Sequence, residues 1–221
     1  MAGSVGEIFY DAIFLVGWYH VVMRHKGFTL LELAVVTSIM VMLTAVVFAN
    51  FPKFNRMLTV RREADKLTLA LRKAQAYALA VREFNPAYAD DPFCENPPVR
   101  FPPYGVSFSM ADNKKYLIFG DADCNDIYTA GSNEQVEVFT LAREVVIKSL
   151  RGYDSFACSL GCAFDQANAT YQRPAPSVIL SGKTGGTNYS DLDRIEIVLE
   201  MPGQNLSRKI ILRTTGDVSI E

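Results

Sequence analysis

The sequence predicts an α+β fold, one long N-terminal helix followed by an antiparallel β domain. Three observations carry this. From Leu33 to Pro52 there are 20 residues and no charge; as an α-helix rising ~1.5 Å per residue, such a run crosses a hydrocarbon core of ~30 Å. Beyond Pro52, the residues Val60, Ala64, Leu67, Leu71, Ala74, Ala78 and Val81 recur at alternating spacings of four and three, the apolar stripe of an amphipathic helix. From Tyr104 onward, short runs rich in Val, Ile, Tyr and Phe are separated by Gly, Asn, Asp or Pro, the pattern of strands and turns.

Taken in order, residues 1–27 form a leader. Arg24-His25-Lys26 precedes the apolar run, and by the positive-inside rule that end faces the cytoplasm while everything beyond the span is exported. Residues 28–83 form the long helix, with the membrane span over 28–51 and a kink at Pro52, whose ring removes one helix hydrogen bond. Arg61, Arg62, Asp65, Lys66, Arg72 and Lys73 occupy the faces away from the stripe, so this half packs on its own β domain. Residues 84–221 form that domain. Asn85 to Pro103 reads as a loop. Strands are expected at Tyr104–Met110, Lys115–Phe119, Val136–Thr140, Val145–Ser149, Ser177–Ser181, Arg194–Leu199, Lys209–Arg213 and Asp217–Ile220. Pro202-Gly203-Gln204-Asn205 makes a hairpin between two of them.

Glu32 is the awkward residue. A carboxylate within a membrane segment costs ~2.5 kcal/mol or more and normally has a partner and a function. Lys26-Gly27-Phe28-Thr29-Leu30-Leu31-Glu32-Leu33 resembles the processing site of type IV prepilins and pseudopilins. The resemblance implies cleavage between Gly27 and Phe28 by prepilin peptidase and N-methylation of Phe28. It also implies that Glu32 pairs with the new amino group of Phe28 on a neighbouring subunit, two charges neutralised together in lipid. Tyr104-Gly105-Val106-Ser107-Phe108, Tyr116-Leu117-Ile118-Phe119-Gly120-Asp121 and the ending Thr214-Thr215-Gly216-Asp217-Val218-Ser219-Ile220 are similar to the β domain of the GspH/FimT-like minor pseudopilins, and so to a pilin-like fold. Met23-Arg24-His25-Lys26-Gly27 suffices as a leader of this kind. Translation is therefore expected to start at Met23, with residues 1–22 a start-site artefact; a genuine long leader is the alternative.

Removing the leader removes His20, His25 and Trp18, so the mature chain has no histidine. That excludes Ser-His-Asp and Cys-His nucleophiles and His-ligated metals, and the protein is not expected to be an enzyme. The net charge of −2 is unchanged by processing, since Glu7 and Asp11 cancel Arg24 and Lys26, and it argues against nucleic-acid binding. Cys94, Cys124, Cys158 and Cys162 all lie in the exported part, where an even count points to disulfides. Three connectivities are open, among them Cys158–Cys162 with Cys94–Cys124. A four-thiolate zinc site is the rival, weakened by the absence of two C-x-x-C knuckles.

Asp121-Ala122-Asp123-Cys124-Asn125 spaces oxygen ligands as a calcium loop does, making Asp121, Asp123 and Asn125 the candidate ligands. Asp126 stands where such a loop needs glycine and Ser132 where it needs glutamate, so a polar turn is the stronger reading. Ser181-Gly182-Lys183-Thr184-Gly185-Gly186 carries the end of a P-loop without its first glycine or its helix, and reads as a flexible loop. Asp191 and Asp193 read as a solvated turn rather than an acid/base pair.

The expected role is structural: a minor pseudopilin of a type II secretion system, single-pass in the inner membrane and then part of a filament. Its partners would be prepilin peptidase, other pilin or pseudopilin subunits and the inner-membrane assembly platform. The alternative is a minor pilin of a type IV pilus, serving assembly, adhesion or DNA uptake, for which Lys183, Arg208, Lys209 and Arg213 are the available cations.

Overall fold

The structure, a computed structural model, describes residues 27–80, 82–84, 101–131, 134–142, 144–172 and 178–221. The long helix, α1, spans Leu30–Leu79. It begins two residues later than expected because Thr29 is the N-cap: the Glu32 N–H donates to Thr29 Oγ1 at 3.2 Å, satisfying one of the orphan donors of the first turn. Pro52 does not end the helix. One missing hydrogen bond is outweighed by cooperative helix on both sides and by packing of the turns that follow. Val81, the last member of the expected stripe, and most of the expected loop after it lie outside the described residues.

The chain divides into two compact units, residues 1–50 and 51–221. In the first, every described residue is exposed. In the second, the stripe is buried as expected: Val60, Ala64, Leu67, Leu71, Ala74 and Ala78 are all covered, joined by Ala70 and Glu63. Glu63 reaches Lys66 Nζ at 2.8 Å, which lets a carboxylate sit on the covered face.

Among the described residues, eleven strands form two antiparallel sheets: β1 Tyr104–Ser109, β2 Lys115–Gly120, β3 Gln135–Thr140, β4 Val146–Tyr153, β5 Cys162–Ala163, β6 Gln166–Tyr171, β7 Val178–Thr184, β8 Thr187–Tyr189, β9 Arg194–Met201, β10 Leu206–Arg213 and β11 Val218–Ile220. The larger sheet runs β3-β2-β1-β6-β7-β8 and the smaller β11-β10-β9-β4-β5. Alternation sets the inner faces. Tyr104, Val106 and Phe108 of β1 and Ile195, Ile197 and Leu199 of β9 join the helix stripe in one core. This is the α+β, pilin-like arrangement: one long helix packed against antiparallel sheets.

All eight expected strands are present, within a few residues at their ends. Three more were not expected. β6 lies centrally, between β1 and β7, yet its sequence Gln-Ala-Asn-Ala-Thr-Tyr has little β propensity. The expected flexible loop at 181–186 is instead the end of β7 and a two-residue turn into β8, with Gly185 and Gly186 both at positive φ. Two such glycines suit the primed turn that a tight hairpin needs.

The outer face of the larger sheet is polar and covered. Ser107, Asn168, Thr170 and Ser181 are buried there beneath the segment 121–131. The Ser181 hydroxyl donates to the Asp126 carbonyl at 2.8 Å, and the Gln166 amide donates to the Tyr128 carbonyl at 2.7 Å. The segment is thus held by side chains of β6 and β7 rather than by ladder bonds.

Candidate functional site

Two places hold the residues that sequence reasoning singled out. The first is the start of α1. Gly27 is exposed, at ordinary φ, and a Cβ added to it would meet nothing within 4 Å. Local structure therefore gives no reason for glycine at this position. Phe28 is 80 % exposed. Over Leu30–Phe51 the side chains are apolar apart from Glu32, Thr37, Ser38, Thr44 and Asn50. Four of these five are closed on the helix itself: Thr37 donates to Ala34 O at 3.0 Å, Ser38 to Val35 O at 2.8 Å, Asn50 to Val46 O at 3.0 Å, and Thr44 to Met40 O. Back-bonding of this kind hides hydroxyl and amide groups from an apolar surrounding. The Glu32 carboxylate is the exception. Its backbone N–H is capped, but among the described residues its side chain has no hydrogen-bond or ion-pair partner. Among the described residues, one helix is long and apolar enough to cross a membrane, which fits a single span or a signal.

The second place is the segment after β2. Carboxylate oxygens of Asp121, Asp123 and Glu134 lie within 4.8 Å of one another, with Asp121 and Glu134 buried. Asp121 accepts the backbone N–H groups of Asn125 and Asp126, each at 3.1 Å. Glu134 accepts that of Thr129 at 3.1 Å. Burial first, and the hydrogen bond with Asp123 second, push Asp121 up to about 8. Burial also raises Asp126. Two members of the expected calcium set of Asp121, Asp123 and Asn125 belong to this cluster, which adds Glu134. The Asn125 side chain is spent locally, its amide on Asp123 and its oxygen on the Ile127 N–H at 2.7 Å. Glu134 is the third carboxylate of the cluster. It sits just past the end of a twelve-residue loop, where a search keyed to the twelfth position stops short of it. Three converging carboxylates can be neutralised by a shared proton or by a hard cation with oxygen ligands.

The cysteines do not form a zinc site. Cys158 and Cys162 are joined in a disulfide with Cα atoms 5.1 Å apart, and Cys124 is also disulfide-bonded. Cys94 lies outside the described residues. Asp191 and Asp193 are exposed, and Asp193 accepts the Ser155 hydroxyl at 3.1 Å. Of the four C-terminal cations, Lys209 pairs with Glu221 at 2.9 Å and Arg213 with Asp217 at 3.0 Å. Compared with protein-family models, curated proteins and solved structures, the chain has no match.

Proposed function

We propose that the protein is a structural subunit of a pilus-like filament, of the minor pseudopilin kind found in type II secretion, cut after Gly27 and N-methylated on Phe28 by prepilin peptidase. The observation that carries this reading is the isolation of Glu32, among the described residues, on a stretch, Leu30–Phe51, whose four other polar side chains all bond back to the helix. A glutamate in the first helical turn gains ~0.3–1 kcal/mol from the helix dipole, less than the ~2.5 kcal/mol or more that a carboxylate costs in an apolar surrounding. Capping alone therefore does not account for it. A cation brought from outside does: the amino group of Phe28, created by cleavage, on a neighbouring subunit. The apolar turns around Glu32 would leave lipid for helix–helix packing in the filament core, with the assembly platform delivering each subunit.

Further support is consistent with this reading. Disulfides at Cys124 and Cys158–Cys162 suit an exported domain. Two of the four C-terminal cations are neutralised by acidic neighbours, which favours a structural role over DNA capture. Mass spectrometry of the mature protein tests the reading. The expected N-terminus is N-methylated Phe28, and Gly27→Ala should retain the leader while the β domain folds unchanged, since the added methyl meets nothing. A wild-type chain that keeps its leader overturns the proposal.

A further inference from the structure

Several cations of the sheets are neutralised in place: Lys115, Lys148 and Arg213 pair with Asp112, Glu200 and Asp217. The turns of α1 that follow the apolar run differ. From Leu33 to Arg62 the chain carries four cations, Lys53, Arg56, Arg61 and Arg62, and no carboxylate. All four are exposed. Among the described residues none of them forms an ion pair, and Arg56 alone makes a side-chain hydrogen bond, to the Gln204 amide oxygen at 2.7 Å. Like charges crowded on successive turns repel one another, so the stability of the fold does not account for them.

The β domain adds to this group. Gln204 lies in the turn between β9 and β10, which meets α1 at Arg56. Lys114 shares the lining of one open pocket with Arg56, and Arg208 that of a second with Met57 and Val60. Neither has an ion pair among the described residues. Against these six cations stand two unpaired carboxylates, Glu144 in the first lining and Asp65 one turn beyond Arg61. This end of the domain is therefore basic, in a chain whose net charge is −2.

Phe51 closes the apolar run. At ~1.5 Å per residue, Lys53 and Arg56 lie about 3 and 8 Å beyond it along the helix, and Arg61 and Arg62 about 15 and 17 Å. The headgroup layer of a bilayer is roughly 5–8 Å deep. With Phe51 at the edge of the hydrocarbon, Lys53 and Arg56 fall within that layer, and the two arginines stand about one Debye length above it. At 3.6 residues per turn the four point to roughly 0°, 300°, 80° and 180° around the axis. Charge on all sides of a helix suits a planar layer; a protein groove would meet one side only.

We propose that Lys53, Arg56, Arg61, Arg62, Lys114 and Arg208 form a docking surface for the headgroups of anionic phospholipids. Each cation held at an anionic surface strengthens such binding about fivefold. The docking rests on the membrane span within the filament-subunit reading. It deepens that reading by naming what the domain meets while the chain is still in the membrane.

The test uses the full-length chain from producing cells, with the photo-crosslinking residue p-benzoylphenylalanine at the exposed position 207 on β10. The chain is placed in nanodiscs of phosphatidylglycerol and phosphatidylcholine in equal amounts, with identical acyl chains. The expected result is a lipid adduct in which phosphatidylglycerol outnumbers phosphatidylcholine at least fivefold. Lys53→Gln, Arg56→Gln, Arg61→Gln and Arg62→Gln together should bring that ratio to about one without lowering the total lipid adduct. Arg56→Lys, Arg61→Lys and Arg62→Lys together keep the charge and should keep the ratio. No lipid adduct, an adduct without headgroup preference, a preference that survives the glutamines or one lost with the lysines would each overturn the docking surface. Analysis of the N-terminus in the same preparation separates the two readings. A cleaved, methylated chain without headgroup preference defeats the docking surface alone. A headgroup preference on chains that keep their leader defeats the filament reading alone.

Discussion

Residues 30–50 and 60–79 belong to one helix but meet opposite fates. In the first stretch Met42, Val46 and Phe48 are 72, 57 and 71 % exposed, while in the second Ala64, Leu67 and Ala74 are fully buried. The large apolar residues lie mainly on the exposed stretch and the small ones on the buried stretch. Apolar content therefore does not decide burial within this chain. What decides it is a preferred face. The second stretch interleaves Arg61, Arg62, Asp65, Lys66 and Arg72 with its apolar positions, so only one side can turn to the sheets, and its alanines let the helix approach them closely. The first stretch is apolar all round and offers no such face, as fits a membrane span or a signal.

The sharpest way to break this comparison is at the single charge of the first stretch. Glu32→Val should leave cleavage intact but reduce incorporation into filaments by at least tenfold in competition with the wild-type chain. Incorporation at wild-type level would show that Glu32 needs no partner. A matched pair of truncations comes next. Leu67→Ala, in the core, should destabilise the β domain by ~2–5 kcal/mol, whereas Leu43→Ala should leave its denaturation midpoint unchanged. Equal effects from the two would mean that the exposed stretch contributes to domain stability.

Per pH unit, the smallest expected effect concerns Asp121. Its pKa is raised in the folded protein from 3.8 to about 8, so the folded state holds a proton that the unfolded state releases. This contribution is fully present below pH 3.8 and is lost as pH rises through about 8, at up to ~1.4 kcal/mol per pH unit. Asp121→Asn should flatten that slope in unfolding curves recorded between pH 5 and 8. A slope unchanged from the wild type would place the titrating group elsewhere. Calcium discriminates the two ways of neutralising the cluster: a rise in Tm at pH 8 assigns it to a cation, and an unchanged Tm assigns it to a shared proton.

The strands rich in β-branched and aromatic residues could be read directly: Arg194–Met201 is dense in Ile, Val and Leu, and Leu206–Arg213 carries the run Ile210-Ile211-Leu212, on either side of a Pro-Gly turn. β6 could not. Its inward residues, Ala167 and Ala169, are small, and its outward residues are polar, with Asn168 and Thr170 buried and Gln166 half-buried under the segment 121–131. In a sequence that combination reads as loop; only its neighbours on both sides and the cover above make it a central strand. The candidate sites divide in the same way. Gly27, Phe28 and Glu32 stand out because their chemistry is contiguous in the chain. The acidic cluster was found only in part, because Glu134 reaches Asp121 and Asp123 by the return of the chain into β3.

The sequence by itself determined the long helix, its apolar first half, the lone Glu32 and the α+β order of elements. These follow from periodicity and local charge, which act over a few residues. Only the tertiary structure decided that β6 is central, that Glu134 joins Asp121 and Asp123, and that Phe156 and Leu160 face solvent. Each of those depends on which distant segment covers a residue, and burial, unlike helix periodicity, is a property of the whole fold.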